Sequence, residues 1–154
     1  MPSISAGSFK QQCSTYEVNL FKIHNPSDVL PVVGPLSWGL EFQRVRRFLY
    51  ISGQVGASVD GRVGDGLLEQ VKLAFDNVGR VLRSAGLAPQ HVVRTGLYFT
   101  RHVEMTEKLQ VDFNLLRTDF LGDHRATSTF LYVHALADPR WLFEVDAIAV
   151  DFES

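Results

Sequence analysis

The chain has 154 residues, enough for one domain that buries most of its apolar surface without a disulfide or metal staple. With 45% hydrophobic, 21% charged and 11% aromatic residues, its composition excludes a disordered chain or a coiled coil. The 15 Lys and Arg against 17 Asp and Glu leave a net charge of −2, without the basic footprint of a nucleic-acid or anionic-membrane binder, and Cys13 is the only cysteine.

A lone thiol excludes an internal disulfide and any multi-cysteine metal centre, and a reducing cytoplasm is the expected compartment. The opening residues Met1-Pro2-Ser3-Ile4-Ser5 have neither the basic start nor the apolar core of a secretory signal. No apolar run approaches the roughly 18 residues of a membrane span. Residues 3–12 are polar and rich in Gly and Ser, a flexible end by composition. Residues 16–23 alternate Tyr16, Val18 and Leu20 with polar neighbours and read as a short strand, broken by Asn25-Pro26-Ser27-Asp28.

The turn-rich segment at residues 34–39 leads into residues 45–54 (VRRFLYISGQ), whose β-branched and aromatic residues predict a strand. Gly53, Gly56, Gly61, Gly64 and Gly66 mark a loop. Over residues 67–85 the apolar positions Val71, Ala74, Phe75, Val78, Val81, Leu82 and Ala85 recur at helical spacing, with Asp65 as cap and Gly86 and Pro89 as stop. A strand is expected at residues 91–100, with Val93, Thr95, Leu97 and Phe99 on one side. A second helix covers residues 107–121, striped by Met105, Leu109, Phe113, Leu116 and Phe120 and ended by Gly122. Strands at 126–134 and 142–150 follow, joined by a turn around Asp138-Pro139.

The last strand places Phe143, Val145, Ala147 and Ala149 on one face and Glu144, Asp146, Ile148 and Val150 on the other. The first set suits packing under two helices. The second mixes apolar residues with two acids, which fits neither water nor a dry core. A domain of two helices and one sheet has no cover for that face from its own chain, so a homo-oligomer is expected, with Glu144 near the contact.

Local chemical signatures are weak. Gly64-Asp65-Gly66-Leu67-Leu68-Glu69 lacks the third glycine of a dinucleotide fingerprint, and no Walker lysine or Gly-x-Ser-x-Gly elbow occurs. No two histidines are spaced four apart on a helix. His102 with Glu104, and Asp123 with His124, read better as turn residues than as metal ligands. Arg44, Arg46 and Arg47 read better as a solvated strand entrance than as a phosphate site.

Taken in order, residues 34–39 (GPLSWG), 48–56 (FLYISGQVG), 60–61 (DG), 74–87 (AFDNVGRVLRSAGL), 91–100 (HVVRTGLYFT) and 144–150 (EVDAIAV) resemble the RidA/YjgF family, also called L-PSP endoribonuclease-like. The resemblance spans residues 34–150. It implies a RidA-like domain over 34–154, preceded by an extension at 1–33 with a possible extra strand. The implied fold is α+β and chorismate-mutase-like, a mixed β-sheet with two α-helices on one face, assembled as a homotrimer with clefts between subunits.

Typical members hydrolyse enamines or imines to a 2-keto acid and ammonia, with no metal or organic cofactor. An arginine fork holds the substrate carboxylate and a glutamate handles water. Carried over position by position, Glu144 matches that glutamate, Ser52 a cleft serine and Asn114 a cleft asparagine. Each also has a plain structural reading: Glu144 as an interface acid, Ser52 as a small strand residue, Asn114 as a helix-flank hydrogen-bonding group.

Two positions depart from the pattern. Leu36 stands where the family's turn carries an aromatic. The carboxylate-binding arginine falls on Thr127 or Ser128, depending on a one-residue register choice. A hydroxyl cannot replace a guanidinium fork, and losing a charge-assisted bidentate contact costs roughly 3–5 kcal/mol. If the strand starts early, Arg125 shares a face with Thr127 and reaches toward the same place; loop exposure is the alternative.

Three functions follow from the resemblance. The first is a small-molecule hydrolase or deaminase acting on an imine, enamine or related C–N compound in an intersubunit cleft. The second is a trimer that binds a metabolite without catalysis, favoured by the missing arginine. The third, RNA cleavage, is disfavoured by the absence of a basic–aromatic surface. Expected partners are copies of the same chain and a small-molecule ligand, with neither membrane nor nucleic acid.

Overall fold

The computed structural model describes residues 21–32 and 34–152, so the polar N-terminal stretch and Tyr16, Val18 and Leu20 of the first expected strand lie outside the described residues. The end of that strand is β1, Phe21–His24, which pairs antiparallel with β2, Gly39–Phe42. β2 falls just after the turn-rich segment, where no strand is expected. Its four residues are too short to show an alternation. Its pairing rests on Gly39, where an added Cβ would lie 3.3 Å from the His24 Cβ.

The remaining elements are those expected: β3 (Val45–Val55), α1 (Gly66–Ser84), β4 (Val92–Thr100), α2 (Glu107–Leu121), β5 (Thr127–Val133) and β6 (Phe143–Phe152). They form one four-stranded sheet in the order β3-β6-β4-β5. β6 runs antiparallel to both β3 and β4, and α2 carries the chain between the parallel pair β4 and β5. This is the α+β arrangement expected, with a mixed sheet and both helices on one face.

That face is set by the alternation along β6. Phe143, Val145, Ala147 and Ala149 are all buried. Phe143 sits between the helices, its ring 6.0 Å from Phe75 of α1 and 5.9 Å from Phe113 of α2, with Phe99 of β4 at 4.9 Å. Aromatic pairs at these separations add to the stabilisation from burial alone. On β4 the expected face needs one correction. A bulge between Val92 and Arg94 sets Val92 opposite Ala149, so Val92, not Val93, joins Thr95, Leu97 and Phe99 over the core.

The helix ends follow local chemistry. Gly86, at φ +70°, closes α1: its N–H donates to the Arg83 carbonyl and the Leu87 N–H donates to Leu82. At the start, the Asp65 side chain makes no capping bond, contrary to the expectation. Glu69 reaches back instead and accepts from the Asp65 N–H at 2.5 Å while pairing with Arg62. Thr106 caps α2 by accepting from the Leu109 N–H, and Gly122 ends it.

One buried amide locks the sheet to α1. Gln70, 2% exposed, donates to the carbonyls of Gly64 and Arg140 and accepts from the Leu142 N–H. Gly56 makes this approach possible, since a Cβ there would fall 2.3 Å from the Gln70 Cα.

Phe143→Ala removes the ring shared by both helices and is expected to lower the unfolding free energy by about 3–5 kcal/mol, read from urea denaturation.

Candidate functional site

The expected site residues fall into two groups on opposite sides of the sheet. Glu144 projects from the face away from the helices. Its neighbour β3 bulges there: Ile51 pairs with Ala147 and Gln54 with Val145, so Ser52 and Gly53 bow out of the ladder beside it. Gly53 leaves room for the carboxylate at this point. A Cβ on it would lie 1.7 Å from the Glu144 Oε1, so the bulge is a cradle for the carboxylate. Ser52 is exposed on the same bulge.

The Glu144 carboxylate has no hydrogen-bond or ion-pair partner among the described residues. Partial burial, and secondarily the nearby Asp146 charge, raise its pKa above the ordinary 4.5. Asp146 is fully engaged. It accepts from the Tyr98 hydroxyl at 2.7 Å and from Arg94 Nη1 at 3.1 Å, over Gly96, where a Cβ would meet its carboxylate at 2.4 Å. Of two acids one turn of the pleat apart, one is neutralised and the other is left unpaired. Around them Tyr50 is 74% and Phe48 56% exposed, the uncovered apolar face anticipated from the strand pattern.

Leu36, Asn114 and Ser128 meet on the other side, where α2 overhangs the edge strand β5. They line a cavity of about 200 Å³ together with Gln110, Arg117 and Phe130. The strand register separates the two hydroxyls of β5. Ser128 pairs with Thr95 on the helix side, its hydroxyl 2.9 Å from the Thr95 hydroxyl. Thr127 points the other way, donates to the Val93 carbonyl at 2.9 Å, and lines a separate hollow with Arg94, Phe48 and Tyr50. Arg125 precedes β5 and donates to the carbonyls of Gly122 and His124 at the end of α2, outside this cavity.

Arg117 is the residue that sequence reading missed. It is 3% exposed, and among the described residues the only hydrogen bond of its guanidinium is a long one, Nη2 donating to the Pro35 carbonyl at 3.4 Å. Its Nε is buried without a partner, and its Cζ lies 5.7 Å from the Phe113 ring centroid. Burial, with the charge of Arg125 in addition, lowers its pKa to about 10, which leaves it charged at neutral pH. The available signal was the spacing of Gln110, Asn114 and Arg117, which puts a polar stripe on one flank of α2.

The remaining candidates are structural. Arg46 and Arg47 both pair with Asp151, and Arg47 also donates to the Ala85 carbonyl, so both side chains are engaged at the strand entrance. His124 Nε2 donates to the Val92 carbonyl at 2.5 Å and is unavailable to a metal. Among the described residues no group of His, Cys, Asp and Glu could hold a metal ion, and no helix is long and apolar enough to cross a membrane.

The family model described as endoribonuclease L-PSP matches residues 31–151. The chain belongs to this family, the RidA/YjgF proteins. A mouse 2-iminobutanoate/2-iminopropanoate deaminase is 31% identical over 132 residues, covering 84% of this chain and 90% of that protein. A RutC family protein of Aquifex aeolicus is 39% identical over 80 residues, 51% of this chain, and the match spans only 61% of the Aquifex protein. Among solved structures, the Rid family protein YyfB of Yersinia pestis superposes with a TM-score of 0.74 at 31% identity, covering 85% of this chain and 98% of its own.

Three variants test the cradle around Glu144. The carboxyl is expected to titrate above 4.5, and Asp146→Asn to lower that midpoint only in part, because desolvation is the larger cause; carboxyl-carbon NMR reads both. A folded pKa above the unfolded one means the native state holds the proton longer. Stability therefore falls as pH rises through the interval between the two, and Glu144→Gln is expected to flatten that fall in urea titrations at successive pH values. Gly53→Ala is expected to fold while displacing the carboxylate, visible as a shift in the same resonance.

Proposed function

We propose that the protein is a deaminase of the RidA type, hydrolysing a small imine or enamine in a cleft built by neighbouring copies of the chain. The observation that carries this reading is the unpartnered Glu144 carboxylate, cradled by Gly53 beside Ser52 on an uncovered sheet face. The kinship with a mouse protein named for 2-imino acid deamination supports it.

Two half-sites on opposite sides of one sheet cannot act on one molecule within a single protomer. Packing the exposed face of one copy against the β5 edge of the next, as in a trimer, would bring Ser52, Gly53 and Glu144 of one to the cavity of Leu36, Asn114 and Ser128 of another. The exposure of Phe48 and Tyr50 supports such a contact.

The chemistry then needs few parts. Protonation of the imine nitrogen makes its carbon electrophilic, water adds to that carbon, and the C–N bond breaks to give a carbonyl and ammonia. A carboxyl with a raised pKa can donate a proton to the nitrogen and, once ionised, accept one from water. Asn114 and Ser128 would orient the ligand, with Leu36 supplying an apolar wall.

Metabolite binding without turnover is the second reading, favoured by Thr127 and Ser128 standing on β5 where the family carries its arginine. One experiment separates the two. A 2-imino acid generated freshly by an amino-acid oxidase is expected to disappear faster with the protein than without it in stopped-flow. Glu144→Gln is expected to lower that rate by about 10²–10⁴-fold while sedimentation shows an unchanged oligomer. Equal rates with and without protein would overturn the enzyme, and a monomer in sedimentation would overturn the shared cleft.

A further inference from the structure

We propose that Arg117, on α2, is an anion clamp that binds the carboxylate of a small organic acid in the cavity beneath β5. This deepens the deaminase reading by naming the ligand's charged group, and it rests on that reading only in taking the cavity of Leu36, Asn114 and Ser128 as a ligand half-site.

The argument starts from charge. Arg46, Arg47, Arg62, Arg94 and Arg140 each have an acidic partner within 3.1 Å, and each sits at a solvent-accessible position. Arg117 is almost fully enclosed and has no acidic partner among the described residues. A buried cation is ordinarily paired, because its lost hydration must be replaced. Here one weak bond to the Pro35 carbonyl and the face of Phe113 replace only part of it, and the Nε–H is left empty.

The surroundings select the kind of anion. Gln110, Asn114 and Ser128 bring amide and hydroxyl groups to the same cavity, while Leu36 and Phe130 close it with apolar surface. That combination suits a carboxylate carried on a short apolar body. A guanidinium binds a carboxylate through two parallel N–H bonds, a geometry that lysine cannot copy. Within one protomer the cavity of about 200 Å³ has room for a carboxylate on a short body.

The placement also accounts for the hydroxyls on β5. Ser128 and Arg117 line one cavity, the first from the strand and the second from the helix above it. A guanidinium reaching down from α2 leaves no need for one on the strand, and two cations in so small a space would repel. Arg94, which pairs with Thr127 of β5, is neutralised by Asp146 and faces the opposite side.

The test uses pyruvate as probe, with pyruvamide as its uncharged counterpart, on the full-length protein. Calorimetric titration is expected to show saturable pyruvate binding, at least about tenfold tighter than pyruvamide. Arg117→Met is expected to weaken pyruvate at least about tenfold, leave pyruvamide unchanged and keep or raise the melting temperature, because an uncompensated buried charge is gone. Arg117→Lys, which keeps the charge without the fork, is expected to bind between the two. In the wild-type protein the Arg117 Nε–H NMR resonance is expected to move with pyruvate and not with pyruvamide, a readout that needs no variant to fold. Equal affinity for the two probes, or a resonance unmoved by pyruvate, would overturn the clamp. Pyruvate binding that survives without imine turnover would sink the deaminase and keep the clamp; turnover unimpaired in Arg117→Met would do the reverse.

Discussion

The alternation of β6 is the constraint on which the other features depend. As a central strand it is flanked on both sides, so each of its residues must point to one sheet face or the other. Phe143, Val145, Ala147 and Ala149 give one face to the helices, where Phe75, Phe99 and Phe113 gather around Phe143. The same geometry forces Glu144 and Asp146 onto the opposite face, which the described residues leave uncovered. A one-residue slip would bury both acids under the helices at a cost that the apolar contacts could not offset.

The two acids on that face meet different fates for local reasons. Asp146 lies over Gly96 within reach of Tyr98 and Arg94, and its charge is balanced. Glu144 lies over the β3 bulge, where Gly53 makes room for its carboxylate but offers it no partner. An unpaired, partly desolvated acid is held in a state that folding alone does not favour. Such a group makes sense where proton transfer is its task, and this connects the packing of one strand to the proposed chemistry.

α2 performs a comparable division of labour. Phe113 faces the core, while Gln110, Asn114 and Arg117 line the flank that overhangs β5. Burying a guanidinium beside Phe113 costs stability, yet it puts a fixed positive charge in the one cavity where Leu36, Asn114 and Ser128 converge. On the proposed reading, membership of the RidA/YjgF family is compatible with hydroxyls at Thr127 and Ser128, because Arg117 on the neighbouring helix would take the cationic role.

Periodicity and punctuation in the chain by themselves determined the helices, the principal strands and the two-faced character of β6, because these depend on short-range spacing: three-four for α1 and α2, two for β6, and glycines at 86 and 122 for the stops. They did not reveal β2, whose four residues carry no pattern without their β1 partner, nor the Val92 bulge, which exists only in the pairing with β6. Tertiary structure alone decided which of Thr127 and Ser128 faces the helices, and that Arg117 is enclosed without a counter-ion among the described residues. Each of those outcomes depends on which distant atoms arrive beside a side chain, and distance through space is not written in distance along the chain.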